Sequence, residues 1–503
     1  MGLKRSKWCY SVAAAGRDLC YAFVVLFFVS YIQYTNLVNT TQFLALTAII
    51  VLCRVWDAIN DPLMGTIISN TKTRFGKFRP WILLGGILNS IILVLMFTLR
   101  VETGDNIEVL GWWNVGVLGF LYLLWGMTYT MNDVSYWSLL PVLSKDKKER
   151  DNLTSTVVVF ASLGAFIAGG VVPIVTPGNM IQGYRTIVLI FSCVFLLSQI
   201  MVFFFTRDNK ADKIRLSPQE MSLETTEEST TLKGMFKILL RNNQLLVMAF
   251  IVLAYSTAST FLTTFGQNFF YFKFGYDGNK AFLFTVVYAV GTLISQSLYP
   301  ILASKFTRME MVKVSTIVAV IGYTIFLVFA NVPIASFYAF LAVCFGGLLV
   351  FAGQGVFYMV MMIMMTNTIE YDQWKTGQRN EAIIFSVRPF MVKLSGAVQS
   401  LIFSLVLVAC GLYAITNQVG QIESQISTGT VIKTEGVQQI NTLLQQATGN
   451  QMLGLTASMT LIPMALMVIC YIVLKKKYII SEELYAKMIQ DIQERTTTGK
   501  TTQ

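Results

Sequence analysis

Apolar runs of roughly 20 residues or more recur along the whole chain, broken by short polar or charged stretches, and each run reads as a membrane-spanning helix. Six such runs fall near residues 10–38, 43–69, 80–99, 111–140, 153–176 and 184–206. Six more fall near 246–270, 281–304, 311–331, 335–368, 383–413 and 452–474. The longest polar stretch begins at Arg207, RDNKADKIRLSPQEMSLETTEESTTLKG, and separates the two sets. The pattern predicts an all-α membrane protein with a six-helix bundle over 1–206, a central loop over 207–245, a second bundle over 246–474 and a tail over 475–503. Two bundles joined by such a loop suggest a transporter whose halves rock about a central site. Residues 414–450, rich in Gln, Thr, Ser and Gly, read either as a loose loop or as a partial lid. In the tail, SEELYAKMIQDIQERT sets Leu484, Met488 and Ile492 on one face, the pattern of a short amphipathic surface helix.

Charge placement orients the spans. Of 503 residues only 13% are charged and 54% are hydrophobic, and the net charge is +11. The basic residues crowd one side: Lys4, Arg5 and Lys7, then Lys72 to Arg79, Lys145 to Arg150, the central loop, Lys305 to Lys313, Lys375, Arg379 and the tail. The opposite side holds Arg100, Arg185, Lys273, Lys280 and Lys433. This asymmetry predicts a multi-pass protein of the cell inner membrane with both termini cytoplasmic, and it accounts for the basic charge without nucleic acid. The chain has no His, its seven Cys form no CxxC pair, and no GxxxxGK[ST] loop occurs. Histidine acid–base chemistry, a zinc or disulfide framework and ATP-driven work are thus not expected, and the chain does not read as an enzyme.

Eight charged side chains nevertheless lie at predicted membrane depth. Arg17, Arg54, Arg388 and Lys393 stand against Asp18, Asp57, Asp61 and Asp133, a sum of 4 − 4 = 0. An unpaired charge at the bilayer centre costs about 2.5–3.5 kcal/mol on insertion scales, so these groups pair with one another or face an internal cavity. In RVWDAINDPLMG, residues 54–65, Asp57 and Asp61 share a helix face with Cβ atoms about 5–6 Å apart. Such carboxylates repel, and either one protonates or a cation sits between them. Asn60 adds an amide oxygen, and Pro62 leaves the Ala58 carbonyl without its helical donor. Two readings follow, structural ion pairs or an oxygen-lined site for a hard monovalent cation. In YTMNDVSYWSLLP, Tyr129, Asp133 and Trp137 are spaced i, i+4, i+8, with Thr130 on the same face. A carboxylate between aromatics resembles a sugar subsite, the ring stacking on Trp and the carboxylate accepting hydroxyl hydrogen bonds.

Through these residues the chain resembles the glycoside–pentoside–hexuronide:cation symporters of the major facilitator superfamily, of which the melibiose carrier is a type. The similar blocks are GRD at 16–18, RVWDAINDPLMG at 54–65, TRFGKFRPW at 73–81, YTMNDVSYWSLLP at 129–141, EYDQWKTGQRNEA at 370–382 and FMVK at 390–393. The resemblance implies a twelve-helix major facilitator fold working by alternating access. It implies a cation site at Asp57, Asn60, Asp61 and Thr130, bordered by Asp133. Asp18, Asp133 and Trp137 would hold the glycoside, aided by Arg17 and Tyr129, with Lys393 as basic partner and Tyr358 lining the cavity. Arg74, Gly76, Lys77 and Arg79 match the cytoplasmic gate loop. At the position of a sugar-binding arginine in the melibiose carrier stands Val158, which cannot donate hydrogen bonds.

The expected function is cation-coupled uptake of a glycoside, oligosaccharide or hexuronide, with no cofactor and with the chain acting as a monomer. Asn60 and Thr130 cannot titrate, which favours Na⁺ over H⁺, with H⁺ or Li⁺ as alternatives. A lysolipid carrier of the same fold is the rival substrate class; a membrane enzyme or a non-transporting receptor finds no support in the motifs.

Overall fold

The computed structural model describes residues 2–71, 73–103, 106–143, 147–206, 239–332, 336–377 and 381–498. Of the predicted central loop, residues 207–238 lie outside these. Among the described residues twelve helices are long and apolar enough to cross a membrane, so the chain is a multi-pass membrane protein. Before the central loop run α1 (Gly2–Tyr34), α2 (Thr40–Ser69), α3 (Arg79–Thr98), α4 (Ile107–Leu143), α5 (Lys147–Val175) and α6 (Met180–Phe205). After it the first span is broken into α7 (Asn243–Ser259) and α8 (Phe261–Phe274). Then follow α9 (Gly278–Ala303), α10 (Arg308–Ala330), α11 (Phe337–Thr376) and α12 (Glu381–Ala409). The last span is α15 (Gly449–Lys477), preceded by two short helices, α13 (Leu412–Ser427) and α14 (Lys433–Leu444), and followed by α16 (Glu482–Thr498).

Local chemistry explains where these helices begin and end. Asn39 and Gln42 exchange side-chain and backbone hydrogen bonds in a capping box that starts α2, and Thr307 and Glu310 do the same for α10. Pro80 stands in the first turn of α3, and Gly377, with φ 73°, ends α11. The two boxes satisfy amides at the helix starts, Pro80 has no amide to leave unpaired there, and Gly377 takes the left-handed turn that stops the helix. At about 1.5 Å per residue, the 40-residue α11 is roughly 60 Å long and must protrude well beyond a bilayer core of about 30 Å.

The helices form two compact units. The first gathers α1 to α6, nearly all of α8, the start of α9, the end of α12, α13, α14 and the start of α15. Its hub is α1, which packs on α5 and α6. A Cβ on Gly164 would lie 2.1 Å from the Ala15 carbonyl, so that crossing requires glycine. The Tyr10 and Tyr136 rings stack at 4.3 Å, and each hydroxyl donates to the other residue's carbonyl. This reciprocal clasp fixes the register of α1 against α4. Asn89 donates to the Trp125 carbonyl at 3.0 Å and to the Thr128 hydroxyl at 2.9 Å, tying α3 to α4 inside the bundle.

The second unit gathers α7, most of α9, α10, α11, most of α12, the rest of α15 and α16. Its core runs from Leu245 and Met248 through Phe357 and Met361 to Met467 and Leu474. The tail is helical and amphipathic, as its spacing predicts, but its apolar face is covered by protein. Met488 is buried in this core, Trp374 donates to Asp491 at 2.8 Å, and Arg495 donates to the Trp374 carbonyl at 2.9 Å. Of the two readings of residues 414–450, the loose loop is corrected: the segment is an ordered helical hairpin, α13–α14. Its polar composition hides a helical repeat, since Leu412, Tyr413, Thr416, Val419, Gly420 and Glu423 are all buried.

Candidate functional site

Two charged clusters lie along α4 in the first unit. In the first, Arg17 is 2% exposed. Its Nη2 and Nε donate to one oxygen of Asp18 at 2.7 and 3.1 Å. Its Nη1 lies 3.0 Å from an Asp133 oxygen as an ion pair but makes no hydrogen bond of good direction. The guanidinium sits over the Tyr136 and Trp137 rings at 4.6 and 4.9 Å. The carboxylates of Asp18 and Asp133 stay partly open while the arginine is hidden. One cation against two carboxylates leaves a net charge of 1 − 2 = −1. The cluster therefore presents acceptors beside an aromatic face.

The second cluster stands one turn away. Thr130 is three residues before Asp133, an axial step of about 4.5 Å on a helix. Its hydroxyl donates to Asp61 at 2.9 Å. Asn60 is buried, and its Nδ2 finds no acceptor among the described residues. Turned over, that amide presents its oxygen at the same place. Asp57 packs so tightly on α4 that a Cβ on Gly126 would lie 2.3 Å from its Oδ1. Arg54, buried, has Tyr122, Tyr21 and Asp57 around it. Arg54, Asp57 and Asp61 again sum to 1 − 2 = −1. Among the described residues no three His, Cys, Asp or Glu side chains group as metal ligands. Two carboxylates, an amide and a hydroxyl are all hard oxygen-bearing groups. Between the clusters the Tyr21 ring stacks on Tyr129 at 4.8 Å and on Trp125 at 6.0 Å.

Gly126 gives a direct test of this packing. Gly126→Ala pushes the end of the Asp57 side chain aside without displacing backbone, so the expected loss of thermal stability is small, about 1 kcal/mol. On the sequence expectation that Asp57 holds a coupling cation, cation-stimulated transport should fall about tenfold or more, because the carboxylate is displaced. Equal loss of uptake with and without cation would show that α4 packing, and not Asp57, is what Gly126 serves.

The family described as MFS/sugar transport protein matches residues 9–482. The chain belongs to this family. Lactose permease of Lactobacillus delbrueckii subsp. bulgaricus is 28% identical over 500 residues, covering 97% of this chain and 72% of that protein. Raffinose carrier protein of Pediococcus pentosaceus is 29% identical, covering 80% of this chain and 62% of that protein. The glucuronide carrier protein homolog of Escherichia coli (strain K12) is 24% identical, covering 95% and 92%. The aligned regions span 56% to 72% of the lactose permeases and the raffinose carrier. A bacterial homolog of the human lysosomal transporter Spinster, covering 95% of this chain at 13% identity, superposes with a TM-score of 0.61. A D-xylose-proton symporter, covering 86% at 14% identity, superposes at 0.58. The fold is that of the major facilitator transporters, and the family consists of transporters and not enzymes.

Within this family fold the structure brings Arg17, Asp18, Tyr129, Asp133 and Trp137 into one cluster and Asp61 and Thr130 into the next, with Asp57 against Gly126 and Asn60 buried beside them on α2. In the second unit Arg388 donates to the Tyr358 hydroxyl at 2.7 Å, and Lys393 is half-buried on the same helix as Arg388. Val158 is 47% exposed and offers only methyl groups. In the predicted gate loop, Thr73 donates to the Gly76 carbonyl at 2.7 Å, and Gly76 takes φ 98°. Arg79 donates to the Phe203 carbonyl at 2.9 Å and covers its ring, which ties the start of α3 to the end of α6. Arg74 lies over Phe75 at 4.7 Å, and Lys77 is half-buried. Sequence reasoning missed Tyr21 and Gly126. Tyr21 follows Arg17 by four residues and so shares its face of α1, a signal that was present. Gly126 carried none, because a close approach is invisible until the helices are packed.

Proposed function

We propose that this chain is a cation-coupled sugar symporter that takes up a glycoside, oligosaccharide or hexuronide by alternating access, with Na⁺ as the coupling ion. The observation that carries this reading is the placing of Thr130 and Asp133 one turn apart on α4, the first on Asp61 and the second against Arg17. A cation neutralising the Asp57–Asp61 cluster changes the field at the neighbouring Asp133, so occupancy of one site favours the other. The non-titrating oxygens of Asn60 and Thr130 support Na⁺, with H⁺ and Li⁺ as the competing ions. The matched relatives named for lactose, raffinose and a glucuronide support a sugar ligand. The basic side chains of Arg388 and Lys393 keep an acidic glycoside open as a substrate class, while Val158 speaks against melibiose itself. The basic-residue asymmetry supports cytoplasmic termini for a carrier of the cell inner membrane, and the family resemblance alone supports a monomer.

One positive charge moving down 100 mV supplies about 2.3 kcal/mol, or nearly 1.7 decades of accumulation, without ATP. The test is uptake of radiolabelled lactose, raffinose and a glucuronide into energised vesicles under Na⁺, Li⁺ or proton gradients. Accumulation of one sugar driven by Na⁺ is the expected result. Accumulation under a proton gradient alone would replace the ion and keep the symporter. Accumulation of none, with uptake of a lysolipid, would overturn the sugar reading.

A further inference from the structure

The helical hairpin α13–α14 has no place in the charged clusters, yet it is tied firmly into the first unit at the ends of several helices. Its centre is Glu423, with 0% exposure. One carboxylate oxygen accepts from the Gly178 amide at 2.7 Å and from the Tyr276 hydroxyl at 2.8 Å. The other accepts from the Met180 amide at 2.8 Å. Asn179, at the N-cap of α6, makes no side-chain cap bond, so Glu423 caps that helix from far along the chain. Around this point the contacts are close. A Cβ on Gly178, whose φ is 67°, would meet Val437 at 2.7 Å and Lys433 at 2.9 Å. A Cβ on Gly420 would lie 2.7 Å from the Asn36 amide nitrogen, so α13 rests directly on the α1–α2 connection. Tyr413 donates to the Val38 carbonyl at 2.9 Å, and Asn441 accepts from the Tyr276 amide at 2.8 Å.

These bonds join parts of the chain that lie on either side of the central loop in sequence. Val38, Gly178 and Met180 precede it; Tyr276, Tyr413, Glu423 and Asn441 follow it. Nearby, Gln33 and Tyr34 both donate to Asn268, at 2.8 and 2.6 Å, and Thr47 donates to Ser404 at 2.9 Å. In an alternating-access carrier these ends must part whenever the site opens outward. We propose that α13–α14 is a latch over the outer face and that Glu423 is its positioning residue, setting how readily the outer ends separate. This rests on the reading of the chain as such a carrier with cytoplasmic termini.

The chemistry of Glu423 suits a reversible catch. Burial pushes its carboxyl above the usual carboxylate range, against the pull of the Met180 amide, the Tyr276 hydroxyl, the Gly178 amide and the Lys433 ammonium. A desolvated carboxyl held by three donors has large opposing terms and a small net preference. Opening returns the carboxylate and its donors to water, so neither state is locked.

The test follows a cysteine at Ser404, which is fully buried in the latched unit. Ser404→Cys is placed in a chain whose seven native cysteines are replaced, and an impermeant maleimide is added to intact cells. Glu423→Ala is expected to speed labelling about tenfold or more, Glu423→Gln less, and Tyr276→Phe about threefold. Unchanged labelling in Glu423→Gln and Tyr276→Phe would overturn the proposal, as would faster labelling seen only in inside-out vesicles. Loss of thermal stability in Glu423→Ala with no faster labelling in the two milder variants would make Glu423 a structural cap alone. Sugar and ion gradients do not enter the assay, so a failed sugar-uptake experiment and a failed latch remain distinguishable.

Discussion

Asp57→Cys is expected to abolish cation-driven accumulation of sugar while sugar exchange across the membrane persists. Arg54, Asp57 and Asp61 carry a net charge of −1 together, and the substitution brings that sum to 0. The cluster then keeps Asp61 but has no net negative charge to offset the dehydration of a monovalent cation. Losing one charged ligand weakens binding by about 1.5–3 kcal/mol, roughly ten- to a hundredfold in affinity. The smaller side chain introduces no clash at Gly126, so the helix contact survives. The Arg17–Asp18–Asp133 cluster lies a turn away and stays intact. Vesicle accumulation under a cation gradient should vanish, and counterflow of preloaded sugar should continue. If accumulation survives at the wild-type cation concentration, Asp57 is not a ligand and the cluster is a structural ion pair.

Arg17→Gln is expected to give the largest loss of stability of any single substitution in the site. The guanidinium is buried, bridges two carboxylates and lies against two aromatic rings. Removing one partner of a buried charge pair costs about 3–5 kcal/mol because the other charge is left uncompensated. Here the carboxylates left behind, Asp18 and Asp133, are partly open to solvent, so the loss falls near or below the low end of that range, and the affected residues join α1 to α4. Arg17→Lys keeps the charge but not the fork, so its loss should be smaller. Adding Asp133→Asn to Arg17→Gln should recover much of the stability, since it removes one orphaned carboxylate, while sugar binding stays lost. Thermal unfolding in detergent reads the first effect and sugar affinity the second. No recovery in the double variant would mean that the rings, and not the carboxylates, are what Arg17 holds.

Much of this protein was legible in its sequence because a bilayer imposes strong, local rules. Spans must be apolar for about 20 residues, their backbone groups must be satisfied within a helix, and basic residues sort to one side. The twelve spans therefore follow from hydropathy, and the eight membrane-depth charges stand out against them. Helical periodicity also placed Asp57, Asn60 and Asp61 on one stretch of α2 and Tyr129, Asp133 and Trp137 on one face of α4. What periodicity could not supply is the pairing between helices. That Arg17 bridges Asp18 and Asp133, that Thr130 meets Asp61 and not another carboxylate, and that Gly126 makes room for Asp57 depend on how α1, α2 and α4 cross. The same holds for α13–α14, whose Gln- and Ser-rich sequence looks like a loop until its sparse apolar positions find the ends of α1 and α6. Composition reports the solvent a segment prefers, and one-dimensional spacing reports the face a residue takes. Which faces meet is set by packing between segments hundreds of residues apart, and the hold of Glu423 on Gly178 and Met180 is decided there alone.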